Sequence, residues 1–279
     1  MASLKIDAHQ HFWNYDAVRH DWITPAMRAI QRDFLPADLQ PVLEKAGIDG
    51  CIAVQVDQTE EENAFMLGHA ADWDFIMGVV GWVDLGDPNV GERLDYYKQF
   101  PKMKGFRHIL QSIPDRAFML KPGFKRGIGQ LQSRGYTYDI LIYPDQLGYT
   151  REFVASFPNQ PFIIDHIAKP HIKDRYITEE WKDAMRAVAA YENVYCKISG
   201  IVTEADWDNW KPEHLKVYID TVVEAFGPQR IIYGSDWPVC LVAASYDQVV
   251  GVVREYFSSF SADEQAAFFG GNAAKFYKI

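Results

Sequence analysis

Arg230-Ile231-Ile232-Tyr233-Gly234-Ser235-Asp236-Trp237-Pro238 is an apolar run that stops at a carboxylate, next to an aromatic residue and a proline. The β-branched and aromatic residues read as a buried strand, and the proline excludes a helix directly behind it. Working outward from it, seven further runs share its character: residues 4–9, 50–56, 75–83, 104–110, 137–143, 162–167 and 194–199. Most are almost continuously apolar, as strands covered on both faces are. Helical patterns lie between them. The stretch 39–46 ends at Gly47, a good residue for leaving a helix. Thr59-Glu60-Glu61-Glu62 is a capping box opening the stretch 62–73, and Ser261 with Glu264 repeats the device. The clearest amphipathic helices are 179–191 and 212–226, the second closed by Gly227-Pro228. Strands regularly separated by helices pair in parallel through right-handed crossovers. Eight such units predict an α/β fold, a single (β/α)8 barrel domain over residues 1–279. An open dinucleotide-binding sheet has no support, because no Gly-x-Gly-x-x-Gly follows the first strand.

The chain has 279 residues, 48% of them hydrophobic, which is enough to fill one such barrel. Its net charge of -10, with no long basic run, argues against nucleic acid and anionic membrane as partners. Residues 1–12 hold no leader-type apolar segment, and the longest apolar run, 75–83, is too short to span a bilayer. Cys51, Cys196 and Cys240 are odd in number and sit in apolar segments, so they read as reduced core thiols of a cytoplasmic protein. Tyr256-Phe257 and Phe268-Phe269 are the apolar pairs through which a homodimer would form.

In a barrel the chemistry gathers where strands end and loops begin. Those ends offer His9 and His11, Gln55 and Asp57, Trp82 and Asp84, Arg107 and His108, Asp165 and His166, Lys197 and Ser199, and Asp236. An ideal strand puts His9 and His11 on one face with Asp7 below them. Two imidazoles so placed form half of a metal site, or a pair that polarises a carbonyl or water. Asp236 either caps the next turn or takes a proton from a bound water. An ordinary aspartate, near pKa 3.9, is a weak base, so the water must be acidified or the carboxylate desolvated. Arg107 or Lys197 would stabilise an oxyanion or bind substrate hydroxyls, or else pair with neighbouring carboxylates. Only one of Arg107 and His108 enters the barrel, and Arg107 is the narrow preference. Gln55 stands where it would bond a ligand hydroxyl, and Trp13, Trp82 and Trp237 would stack on the apolar face of a ligand if they are not core. His20, His69 and His214 read as ordinary surface residues. No Gly-x-Ser-x-Gly elbow is present, which favours water as the nucleophile.

Asp7-Ala8-His9-Gln10-His11-Phe12-Trp13, Asp165-His166-Ile167-Ala168-Lys169-Pro170 and Gly234-Ser235-Asp236-Trp237-Pro238 together resemble the signatures of the amidohydrolase superfamily. Within it the chain is most similar to the branch of TIM-barrel hydrolases containing sugar-lactone lactonases of the L-fuconolactonase and L-rhamnono-lactonase kind. The resemblance keeps motif order over nearly the whole chain. It implies that His9, His11, His166 and Asp236 form the catalytic set and hold one divalent ion, Zn2+, or work without a metal. Binuclear relatives use a carbamylated lysine and two further histidines. Lys104 is not placed to be that lysine, so a two-metal centre is not expected. The implied activity is hydrolysis of a small sugar-acid lactone by an activated water. Two alternatives stay open: a decarboxylase or hydrolase of an unsaturated or aromatic carboxylic-acid lactone, and a non-catalytic sugar-acid binding protein.

Overall fold

The end of the first strand meets the turn behind the last: His11 N donates to Trp237 O at 2.7 Å, and Asp236 N donates to His9 O at 2.8 Å. These two bonds close a sheet of eight parallel strands in sequential order. The strands are β1 (Ile6–Gln10), β2 (Gly50–Val54), β3 (Ile76–Gly81), β4 (Met103–Ile109), β5 (Thr137–Leu141), β6 (Phe162–Ile164), β7 (Val194–Ile198) and β8 (Ile231–Tyr233). Helices fill the connections, so the expected (β/α)8 barrel is the observed fold. The computed structural model describes residues 3–279. Met1 and Ala2, which open both the expected domain and the segment read as lacking a leader, lie outside the described residues.

Two apolar layers hold the barrel. The outer one joins strands to helices, with Phe106, Tyr138, Phe153 and Phe162 among its fully buried members. The inner one is a separate cluster of Ile6, Ala8, Ile52, Val54, Val80, Ile163 and Ile232 with Ala273, Phe276 and Tyr277. Those last three residues belong to the helix Asn272–Tyr277, which stoppers the end of the barrel where β4 and β5 begin. Burying this much hydrocarbon is the main stabilising term, at roughly 25 cal/mol per Å² of apolar surface.

Most helices and strands follow the pattern in the sequence, and Pro212–Phe226 begins and ends where its punctuation says. The sixth strand departs from it. It stops at Ile164, because His166, Ile167, Ala168 and Lys169 all take left-handed backbone, with φ of 53°, 49°, 59° and 49°. Side chains with a Cβ adopt that region at a cost, and a run of four marks a segment imposed by its surroundings.

Three surface expectations need correction. Phe257, Phe268 and Phe269 are buried, and Phe257 stacks on Phe268 with ring centroids 4.0 Å apart, so they offer no exposed dimer patch. His20 is also buried: it packs against Trp13 and Tyr15, and its Nδ1 accepts from Asp16 N at 3.1 Å. His69 is half-buried between Phe12 and Phe65. Cys51, Cys196 and Cys240 are buried and unpaired, as read from their surroundings. Among the described residues no helix is long and apolar enough to cross a membrane.

Candidate active site

β1 is not an ideal strand. Its pairing with β2 shifts register between Asp7 and Gln10, and that irregularity breaks strict alternation. His9 and His11 do reach the same point, but Asp7 turns away from them. It accepts from Ser235 N at 2.8 Å and Tyr246 Oη at 3.0 Å, and burial pushes its pKa up to about 6. Asp7 therefore ties β1 to the turn after β8, so the sequence expectation of a carboxylate beneath the histidines is corrected.

The turn it steadies carries Asp236, itself in left-handed backbone with φ of 60°. Asp236 Oδ1 lies 3.3 Å from His11 Nε2 and 3.9 Å from both His9 Nε2 and His166 Nε2. Three imidazoles from β1 and the turn after β6 thus surround one carboxylate oxygen. The left-handed turn is what lets Asp165 and His166, adjacent in sequence, both serve this region. Asp165 pairs downward with Arg107 at 3.0 Å, while His166 Nδ1 meets Ser199 Oγ at 2.9 Å. Gly200, with φ of 63°, leaves room for that imidazole: a Cβ there would sit 2.5 Å from His166 Nδ1 and 3.3 Å from Asp236 Oδ2. Only glycine fits the backbone and the space together.

Burial alone would raise the Asp236 pKa, but His166, then His11 and His9, hold the carboxyl well below the usual range. The same burial drives His9 well below the ordinary imidazole value and lowers His166 to about 4. The site therefore presents an ionised carboxylate to the rings of His9 and His166, whose burial favours the neutral form. His11 Nδ1 lies 2.7 Å from Val54 O, an acceptor only, so that nitrogen donates, and Nε2 faces Asp236 Oδ1 at 3.3 Å.

Beneath His9 lies a fully buried polar layer. Lys197 Nζ stands between Asp139 Oδ2 and Asp165 Oδ1, the latter at 3.0 Å, and 3.2 Å from His9 Nδ1. Arg107 enters the barrel and donates to Asp165, to the carbonyl of Gln55 and to Gln55 Oε1. Its Nε is buried with no partner among the described residues. His108 faces the other way, accepting from Trp82 Nε1 at 3.1 Å and stacking on Phe118. Two cations here face three carboxylates, counting Asp236, which leaves the site a residual negative charge.

Above the quartet is a cavity of about 380 Å³, lined by His11, Arg107, His166 and Asp236 at its floor. Arg19, Trp22, Gln58, Gln111 and Lys169 are among the residues of its walls. Lys197 and Gln55 do not line it; they support His9 and Arg107 from below. Trp13 and Trp237 are core residues, Trp13 donating to Arg32 O at 2.8 Å and Trp237 packing on Phe34. Trp82 is committed to His108. The aromatic wall is supplied instead by Trp22, from the loop after β1. Nothing local in the sequence distinguishes Trp22 from any loop tryptophan. Asp139 was missed too, although a lone carboxylate inside Tyr138-Asp139-Ile140 is a readable signal.

Two groups of donors have ligand atoms within 4.8 Å of one another: His9, His11 and Asp236, and His9, Asp165 and His166. The first opens on the cavity and pairs two imidazoles with an anionic oxygen, a donor set that suits a borderline cation such as zinc. The second is covered by the Arg107 and Lys197 charges on Asp165, which repel a metal. The residues present fit one ion, not two.

The amidohydrolase family model matches residues 6–279. The chain is 41% identical to an L-fucono-1,5-lactonase of Burkholderia multivorans (strain ATCC 17616 / 249), covering 100% of this chain and 97% of that one. It is 35% identical to an L-fucono-1,5-lactonase of Burkholderia ambifaria, covering 99% and 96%. A crystal structure of an amidohydrolase from Burkholderia multivorans with bound zinc superposes with a TM-score of 0.96 at 41% identity, covering 99% and 100%. With the family pattern spanning all but the first few residues, and with full-length relatives of this closeness, the chain belongs to the amidohydrolase family.

Proposed function

We propose that this hydrolase opens a small sugar lactone of the fucono-lactone type, by attack of water on the ring ester. The observation that carries the reading is Asp236 Oδ1, an ionised oxygen set among three imidazoles at the floor of a ring-sized cavity. Two full-length relatives named L-fucono-1,5-lactonases support the choice of substrate. Asp236 accepts a proton from the attacking water as the new carbon–oxygen bond forms, then returns it to the ring oxygen as the ester bond breaks. Arg107 faces the developing oxyanion, with one donor still free on its Nε. Trp22 offers a flat apolar face to the ring, and Gln58, Gln111 and Lys169 offer polar groups to its hydroxyls.

A carboxylate held this far below its ordinary pKa is a weak base toward bulk water. We infer that His9, His11 and Asp236, with His166 beside them, hold one Zn2+, which when bound lowers the pKa of a water to about 7. The three unpaired, buried cysteines support placing the enzyme in the reducing cytoplasm.

A pH-indicator assay over a panel of L-fucono, L-rhamnono and other aldono-lactones tests the reading. Acid release from polyhydroxylated lactones, without release from flat unsaturated ones, is the expected result. Failure on every sugar lactone would overturn it.

A further inference from the structure

We propose that Tyr277, in the helix that stoppers the bottom of the barrel, is a positioning residue for His9 at the top. The connection is continuous and buried throughout. Tyr277 Oη donates to Asp139 Oδ2 at 2.9 Å, and the same oxygen accepts from Lys197 Nζ. Lys197 Nζ lies 5.6 Å from the centre of the Tyr277 ring, on its face, and 3.2 Å from His9 Nδ1. Tyr277, Asp139, Lys197 and His9 are each no more than 1% exposed.

Lys197 has two carboxylates to choose between. Asp139 draws it toward β5 and the barrel floor, and Asp165 Oδ1, at 3.0 Å, draws it toward β6. His9 Nδ1 has a matching choice, with Lys197 at 3.2 Å and Asp165 Oδ1 at 3.4 Å. The phenol anchors the first of those carboxylates, since Asp139 Oδ1 has no partner of its own among the described residues. Without the hydroxyl, Asp139 keeps one hydrogen bond where it had two, and Lys197 is free to lean toward Asp165. His9 then keeps Arg107 Nη1, 3.3 Å from its Nε2, and loses the Lys197 contact on Nδ1 that completes the setting of its ring against Asp236. Buried networks of this kind transmit small displacements because every member is already fully engaged. A role for the C-terminal helix that is confined to plugging the barrel would need only the apolar body of the ring.

The inference rests on the lactonase reading for its kinetic arm alone. Y277F keeps the ring and removes the hydroxyl, D139N weakens the acceptor, and F276L loosens the edge-on packing of the same helix on the Tyr277 ring while leaving every polar partner of the chain in place. Y277F is expected to lower kcat about tenfold with KM unchanged, and D139N to lower it at least as much. Y277F/D139N should be no slower than D139N, as for two groups acting through one connection. F276L should lose thermal stability and keep its kcat. Independently of turnover, the 15N imidazole signals of His9 should move in Y277F and stay in F276L. Unchanged His9 signals in folded Y277F, a kcat within twofold of wild type, or losses that multiply in the double variant would each overturn the proposal. If Y277F does not fold, the His9 signals of D139N decide in its place. Absence of any sugar-lactone turnover by the wild type would sink the lactonase reading and leave the spectroscopic arm standing.

Discussion

Trp22 and His108 separate binding from scaffolding at single positions. Trp22 walls the cavity, contacts Trp13 edge-on and touches none of the reacting groups, so its removal should weaken substrate binding uniformly. Trp22→Ala is expected to raise KM about tenfold and leave kcat within twofold, an effect of roughly 1.4 kcal/mol. A matching fall in kcat would mean that the tryptophan also shapes the reacting geometry. His108 faces away from the cavity, and burial holds its pKa at about 4, below the ordinary 6.5. The unfolded chain takes up a proton as pH drops below 6.5, whereas the folded one resists until about 4. The stability this neutral imidazole contributes is complete above pH 6.5 and disappears as pH falls toward 4. It is on the order of 3 kcal/mol at most. Urea unfolding at pH 7 and pH 4.5 should therefore show wild type losing more stability than His108→Gln. Equal losses would show that His108 is hydrated.

The turns after β6, β7 and β8 decide the site more than the strands do. Gly200 follows β7 and packs its α-carbon against His166, so Gly200→Ala forces a methyl into the imidazole. That substitution should cut kcat about a hundredfold and cost about 1–3 kcal/mol of stability from overpacking. Full activity with unchanged stability would mean that the turn has slack. These turns also mark where the sequence stops being legible. The strand pattern and its order along the chain were readable, because apolar runs and helix caps are local signals. His9, His11, His166 and Asp236 were readable as well, because they lie within short motifs at strand ends. The left-handed run at residues 166–169 was not, since none of its residues prefers that backbone and only the packing around it imposes the conformation. The outward turn of Asp7 was hidden for a similar reason: it follows from a register shift between β1 and β2, a property of the pair and not of either strand. Trp22 and Gln111 reach the cavity from long loops, whose course local patterning leaves open.

Over the whole molecule, a barrel stoppered at one end and charged at the other directs one cavity at one ionised carboxylate. The residual negative charge at the floor and the imidazoles around it suit a single cation. Elemental analysis of the purified enzyme should find about one equivalent of zinc. That equivalent should be lost in a His9→Ala/His11→Ala variant; retention of zinc by the variant would place the metal elsewhere. More direct still is the rate of L-fucono-1,5-lactone opening by wild type and Asp236→Asn, followed by acid release at fixed pH. A fall in kcat of about a thousandfold, within the usual reach of a general base, is expected for a variant that stays folded. Equal rates in the two proteins would contradict the role given to Asp236 and the mechanism with it.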